Sequence, residues 1–108
     1  MIIRPATRSD LIAFYGAAPP MTVKALAAFN GAEKPIAVGG YYLSGGIAMA
    51  FSDYSPDLGK RDRVKGAKAL MGALKGLKIA VVARSGPDGD TALKHFGFEP
   101  WGMFWRLT

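Results

Sequence analysis

The sequence predicts an α/β protein built on a mixed sheet, and three observations carry that expectation. From Lys60 to Leu77 the residues Val64, Ala67, Leu70, Met71, Leu74 and Leu77 fall at three- and four-residue spacing, one face of a helix. Ile47 to Ser52 alternates instead, with Ile47, Met49 and Phe51 on one side and Ala48, Ala50 and Ser52 on the other. The last fifth of the chain passes from a short apolar strand, Ile79-Ala80-Val81-Val82-Ala83, through a short helix to His95-Phe96-Gly97-Phe98-Glu99-Pro100 and an aromatic strand.

The elements follow in order. Ile2 and Ile3 open a first strand that Pro5 ends, and Thr7 or Ser9 caps a helix through Asp10 to Tyr15. Gly16 and Pro19-Pro20 stop that helix. Val23 to Phe29 reads as a second strand, although its three alanines also permit helix. Asn30-Gly31 marks a turn, because both residues tolerate positive φ. Pro35 to Leu43 is the next strand, and Ser44-Gly45-Gly46 turns it into the Ile47 strand. The small-sided face of that strand leaves room for a ligand to lie against it, or for a helix to pack closely. Gly66, Gly72 and Gly76 weaken the long helix by about 1 kcal/mol each relative to alanine, which points to a close approach of backbone to a sheet or a ligand. Ser85 to Gly89 is a loop, and Asp88 or Asp90 caps the following helix. Phe96 ends it, with Gly97 left-handed and Phe98 folding back onto Leu93. Met103 to Leu107 is the final strand. The expected order is β-α-β-β-β-α-β-α-β.

With 108 residues the chain fits one domain, residues 1–108. The absence of cysteine excludes a disulfide framework and thiolate metal sites, and the single histidine, His95, argues against a protein-built zinc or iron site. Met1 to Pro5 lacks a charged leader before a long apolar run, and no stretch approaches the roughly twenty apolar residues of a membrane span. A cytoplasmic protein without membrane contact is expected. The net charge of +6 is concentrated: Lys60, Arg61, Arg63, Lys65 and Lys68 stand against Asp62 alone. Such a cluster attracts phosphate-bearing ligands. The helix that carries it lacks interleaved aromatics and no helix-turn-helix pattern is visible, so nucleic acid is not the expected partner.

Three segments in this order resemble the GNAT superfamily of acyl-CoA N-acyltransferases. "IIRPATRSD" is similar to the family's first strand and helix start, "NGAEKPIAVGG" from Asn30 to Gly40 to its second turn and third strand, and "DTALKHFGFEPWG" from Asp90 to Gly102 to its closing helix and "GF" signature. The short length and the loop "SDYSPDLGKRDR" resemble the small divergent GNAT-like proteins of tailed phages and prophages. The resemblance implies an abbreviated GNAT fold, a mixed and mostly antiparallel sheet with helices on both faces. It also implies acetyl-CoA, or a related acyl-CoA, bound where the fourth and fifth strands splay apart, here Ile47 to Ser52 and Ile79 to Arg84. Phe51, Ser52, Gly59, Lys60, Arg61, Arg63, Lys65 and Gly66 would then contact the cofactor, its pyrophosphate resting on the helix N-terminus, where free N–H groups favour anions.

The chain departs from the family pattern in four ways. In the phosphate loop, Arg63-Val64-Lys65-Gly66-Ala67-Lys68 carries Lys68 at a position that is usually small. Leu93 stands where a thiolate-protonating tyrosine is usual, and Ser85-Gly86-Pro87 replaces the usual asparagine. Only one short helix separates the first two strands, so the segment that would choose the acceptor is abbreviated. Acyl transfer needs a polarised carbonyl, a deprotonated amine and a stabilised thiolate. Asp53, at the end of the fourth strand, is the expected base, against its role as a turn or capping aspartate. Tyr54 and His95 are the other candidates for proton transfer, His95 being equally suited to a helix C-terminus. The expectation is an N-acetyltransferase acting on a small-molecule or protein amine. The alternative is an inactive GNAT-fold cofactor-binding or phage accessory protein. The open sheet and aromatic final strand offer a surface for a homodimer.

Overall fold

A computed structural model describes residues 1–31, 34–84 and 90–107. Seven strands form one sheet, with three helices among the described residues. The strands are β1 (Ile2–Pro5), β2 (Val23–Phe29), β3 (Ala37–Ser44), β4 (Ile47–Tyr54), β5 (Val81–Ala83), β6 (Phe98–Trp101) and β7 (Phe104–Leu107). The helices are α1 (Arg8–Tyr15), α2 (Lys60–Lys75) and α3 (Asp90–His95). In space the order is β1-β2-β3-β4-β5-β7-β6. Every pairing is antiparallel except β4 with β5. A parallel neighbour requires a crossover, and α2 supplies it.

Local signals shape each element. Thr7 caps α1 in a reciprocal box with Asp10: the Asp10 N–H donates to Thr7 Oγ1 at 3.2 Å and the Thr7 N–H donates to Asp10 Oδ2 at 2.9 Å. Arg4 closes the arrangement with two hydrogen bonds to the same carboxylate, at 2.8 and 3.2 Å. Those Arg4 bonds, followed by the Thr7 backbone bond, hold the Asp10 carboxyl below the usual carboxylate range. Gly45 and Gly46, at φ 58° and 80°, make the primed two-residue turn that fits the twist of the β3–β4 hairpin.

α1 packs Leu11 and Phe14 on one face of the sheet, with Ala27, Phe29, Val38 and Phe51. α2 and α3 cover the other: Met71 and Leu74 lie with Ala48, Val81, Ala83 and Phe98, while Leu70, Leu77, Leu93 and Phe96 pack around them. The Gly97 N–H donates to the Lys94 carbonyl at 3.2 Å with Gly97 at φ 94°, the expected helix stop, and Phe98 is buried in the cluster that Leu93 joins.

The structure decides between two readings of β4 in favour of a closely packed helix and changes three other expectations. The small-sided face of β4 is where α2 lies: Ala48 is fully buried beneath it, whereas Ile47, Met49 and Phe51 are half-buried on the opposite face. Small side chains there let helix and sheet approach closely. Val64, placed on the apolar face of α2, is 43% exposed, because it sits two turns before Met71. β5 covers only Val81–Ala83, with Ile79 exposed ahead of it. Finally, the chain does not end in one strand but in a β6–β7 hairpin turned at Gly102 (φ 63°) and Met103. Pro100 hid β6, since a proline argues against a central strand but is tolerated on an edge. The expected capping Asp88 and the departure at Ser85-Gly86-Pro87 lie outside the described residues. No described helix is long and apolar enough to cross a membrane.

Candidate functional site

The candidate site lies where β4 outruns its parallel neighbour. Among the described residues the β4–β5 register holds three pairs, Ala48 with Val81, Met49 with Val82 and Ala50 with Ala83. β4 continues to Tyr54, and on its other side it remains paired with β3 to Tyr54 and Ala37. The Ala48 N–H donates to the Ala80 carbonyl at 2.9 Å. Because main-chain groups alternate along a strand, those of Ser52 and Tyr54 point the same way, beyond the last β5 partner. Two donors and two acceptors therefore face the opening without a strand partner among the described residues.

The chain then turns toward α2. The Asp57 N–H donates to Ser55 Oγ at 3.4 Å and the Leu58 N–H to the Ser55 carbonyl at 3.0 Å, while Leu58 is buried as an anchor. Gly59 occupies the N-cap and provides no side-chain cap. The first N–H groups of α2 thus have no capping side chain, and the positive end of a 16-residue helix is directed at this corner. Lys60, Arg61 and Lys65 are exposed around it, with no hydrogen bond or ion pair among the described residues.

Arg63 is placed differently. Its Nε donates to the Leu58 carbonyl at 2.9 Å and its guanidinium lies 4.4 Å from the centre of the Tyr54 ring. It braces the turn between β4 and α2 instead of reaching outward. Ser52, Tyr54, Leu58, Arg63 and Gly66 border a cavity of about 40 Å³ on the α2 side, room for little more than a water or two. An extended ligand does not fit in that cavity. Gly66 faces open space, so its missing side chain relieves no contact within the protein.

The proton-transfer candidates do not converge. Asp53 and Tyr54, being adjacent in β4, project from opposite faces. Asp53 lies on the α1 side, where the Tyr15 hydroxyl donates to its Oδ2 at 2.7 Å. Partial burial, and then this carboxylate, push the Tyr15 phenol well above the usual tyrosine range. His95 is exposed at the end of α3, its ring edge-on to Phe96 with centres 5.1 Å apart. No described contact links it to Asp53 or Tyr54. Sequence reasoning missed Tyr15, which no spacing rule connects to a residue 38 positions away. Among the described residues no group of three or more His, Cys, Asp or Glu side chains is arranged to hold a metal ion.

A scan of known protein families finds none that matches this chain, and a search of curated proteins finds no significant match.

Proposed function

We propose that the chain is a short GNAT-like protein that binds an acyl-CoA, acetyl-CoA in the first instance, and transfers its acyl group to an amine. The carrying observation is the end, among the described residues, of β4–β5 pairing at Ala50 and Ala83 beside an uncapped, cation-flanked helix terminus. The cofactor supplies an activated thioester carbonyl. The main-chain groups of Ser52 and Tyr54, without a strand partner among the described residues, suit an extended amide-bearing arm, which would pair with them as an added strand does. Lys60, Arg61, Lys65 and the first amides of α2 suit its phosphates. Asp53, oriented by Tyr15, is the carboxylate available to take the proton of an incoming amine. Holding both partners in place accelerates such a reaction even without a dedicated acid.

A second reading is a GNAT-fold protein that binds the cofactor without transfer, including a phage accessory role. It is favoured by the separation of Asp53, Tyr54 and His95, and by the hydrogen bond that already occupies Asp53 Oδ2.

Calorimetry with acetyl-CoA tests the shared part. Saturable binding with Kd below about 1 mM is expected, weakened at least about tenfold in a Lys60→Ala/Arg61→Ala variant. No heat at millimolar cofactor removes both readings. Thiol release with a panel of amines then separates them: turnover that Asp53→Asn abolishes supports transfer, whereas binding without release supports the scaffold.

A further inference from the structure

We infer that the outward face of α2 is a docking surface for the phosphate backbone of a nucleic acid, held without regard to base sequence. Arg61, Lys65, Lys68, Gly72 and Lys75 follow one another at four- and three-residue steps, so they form a single stripe along the helix. All five are exposed, and the stripe lies opposite the face that Leu70, Met71 and Leu74 pack on the sheet. No acidic residue interrupts it. The only described ion pairs in the protein are Arg4–Asp10 and Arg106–Glu99, so none of these four cations is neutralised by a described partner. From Arg61 to Lys75 the stripe spans about 21 Å at 1.5 Å per residue, the length of roughly six phosphates along one strand of a duplex.

Gly72, between Lys68 and Lys75, meets nothing within 4 Å where a side chain would begin. Internal packing therefore gives no account of a glycine in an exposed helix interior. It leaves a notch between Lys68 and Lys75 in which a phosphate chain can touch the helix backbone.

The alternatives fit less well. A stable protein partner requires a desolvated anchor, usually aromatic or aliphatic, at the centre of its interface. Here the centre is the charged Lys68, followed by Gly72, and the exposed apolar Val64 lies only at the margin. A membrane-surface helix exposes its apolar face, and the apolar face of α2 is buried. Three lysines and one arginine on flexible stems, without aromatics, suit point contacts to phosphates and not the reading of bases. The lack of interleaved aromatics thus argues against base recognition while leaving backbone binding intact.

The test is fluorescence anisotropy of the full chain with labelled 20-base-pair DNA duplexes of unrelated sequence, titrated across salt. Four phosphate contacts predict a slope of log K against log salt near −3.6, hence about 150-fold weaker binding at 200 mM than at 50 mM salt. Lys68→Ala/Lys75→Ala should halve that slope, while Arg8→Ala, on α1, leaves it unchanged. Circular dichroism confirms that the variants fold. This inference shares Arg61 and Lys65 with the thioester reading, and Lys75 separates the two: it lies at the far end of α2 from the β4–β5 opening, so Lys75→Ala should weaken duplex binding and leave acetyl-CoA affinity intact. No duplex binding at 50 mM salt would overturn it. So would a salt slope indifferent to the Lys68/Lys75 pair, displacement by polyglutamate as readily as by unlabelled duplex, or binding to phosphatidylserine vesicles but not to DNA.

Discussion

Replacing Gly66 and Gly72 by alanine should make this protein more stable. Both lie within α2, both have ordinary negative φ, and a Cβ built at either position meets nothing within 4 Å. Alanine therefore costs no packing, and it removes backbone freedom that the unfolded chain holds and the helix must lose. Each exchange is worth about 1 kcal/mol. A 108-residue domain unfolds with an entropy near 2.1 cal/mol/K per residue, so each exchange should raise Tm by about 4 °C and the pair by about 8 °C. Additivity is expected because the two sites share no partner. Gly40→Ala in β3 provides the contrast. Its Cβ would fall 2.6 Å from the Ala25 Cα and 2.8 Å from the Ala25 Cβ, and closer still to the Lys24 carbonyl oxygen. Only separation of β2 from β3 relieves that clash, and a loss of 3 kcal/mol or more is expected at this overpacked site. Urea denaturation and thermal melts followed by circular dichroism read all three variants. A Gly72→Ala protein no more stable than its parent would refute the helix placement and the claim that Gly72 faces open space.

Two further predictions concern titration. Asp10 ionises more readily folded than unfolded, so its contribution is fully present above the ordinary carboxylate range and is lost as pH falls through its depressed folded value. Thr7→Ala removes one limb of the capping box and should cost about 1 kcal/mol near neutral pH, and Arg4→Ala should flatten the acid limb of a stability-against-pH curve. Tyr15 has the opposite sign: its raised value means that stability persists below the ordinary tyrosine range and is lost as pH rises above it. Ultraviolet titration should show a late-ionising tyrosine, and Asp53→Asn should bring it back toward the ordinary tyrosine range. A titration unchanged by Tyr15→Phe and by Asp53→Asn would contradict the Tyr15–Asp53 contact.

Elements marked by local chemistry were legible in the sequence. A cap at Thr7 or Ser9, found at Thr7, the Gly45-Gly46 turn, the helix from Lys60 and the Gly97 stop depend on residues a few positions apart, and each is found where expected. What failed was orientation and extent. Alternation in β4 separated small from large side chains, but it carried no information about which set would meet α2. β6 was hidden by Pro100, whose tolerance depends on lying at a sheet edge. Arg63 counted as a free cation in the sequence, while the fold turns it onto Tyr54 and the Leu58 carbonyl.

The mixed α/β character, the concentration of positive charge between residues 60 and 68 and the places where the chain turns are written in residue types and short spacings. Tertiary structure alone decided that β5 stops after Ala83 while β4 runs on to Tyr54, that Tyr15 reaches Asp53, and that the cations of α2 divide into a brace and an outward stripe. Those outcomes depend on strand partners and helix docking between segments tens of residues apart. Local propensity has no term for such contacts, because they exist only once burial has brought the segments together.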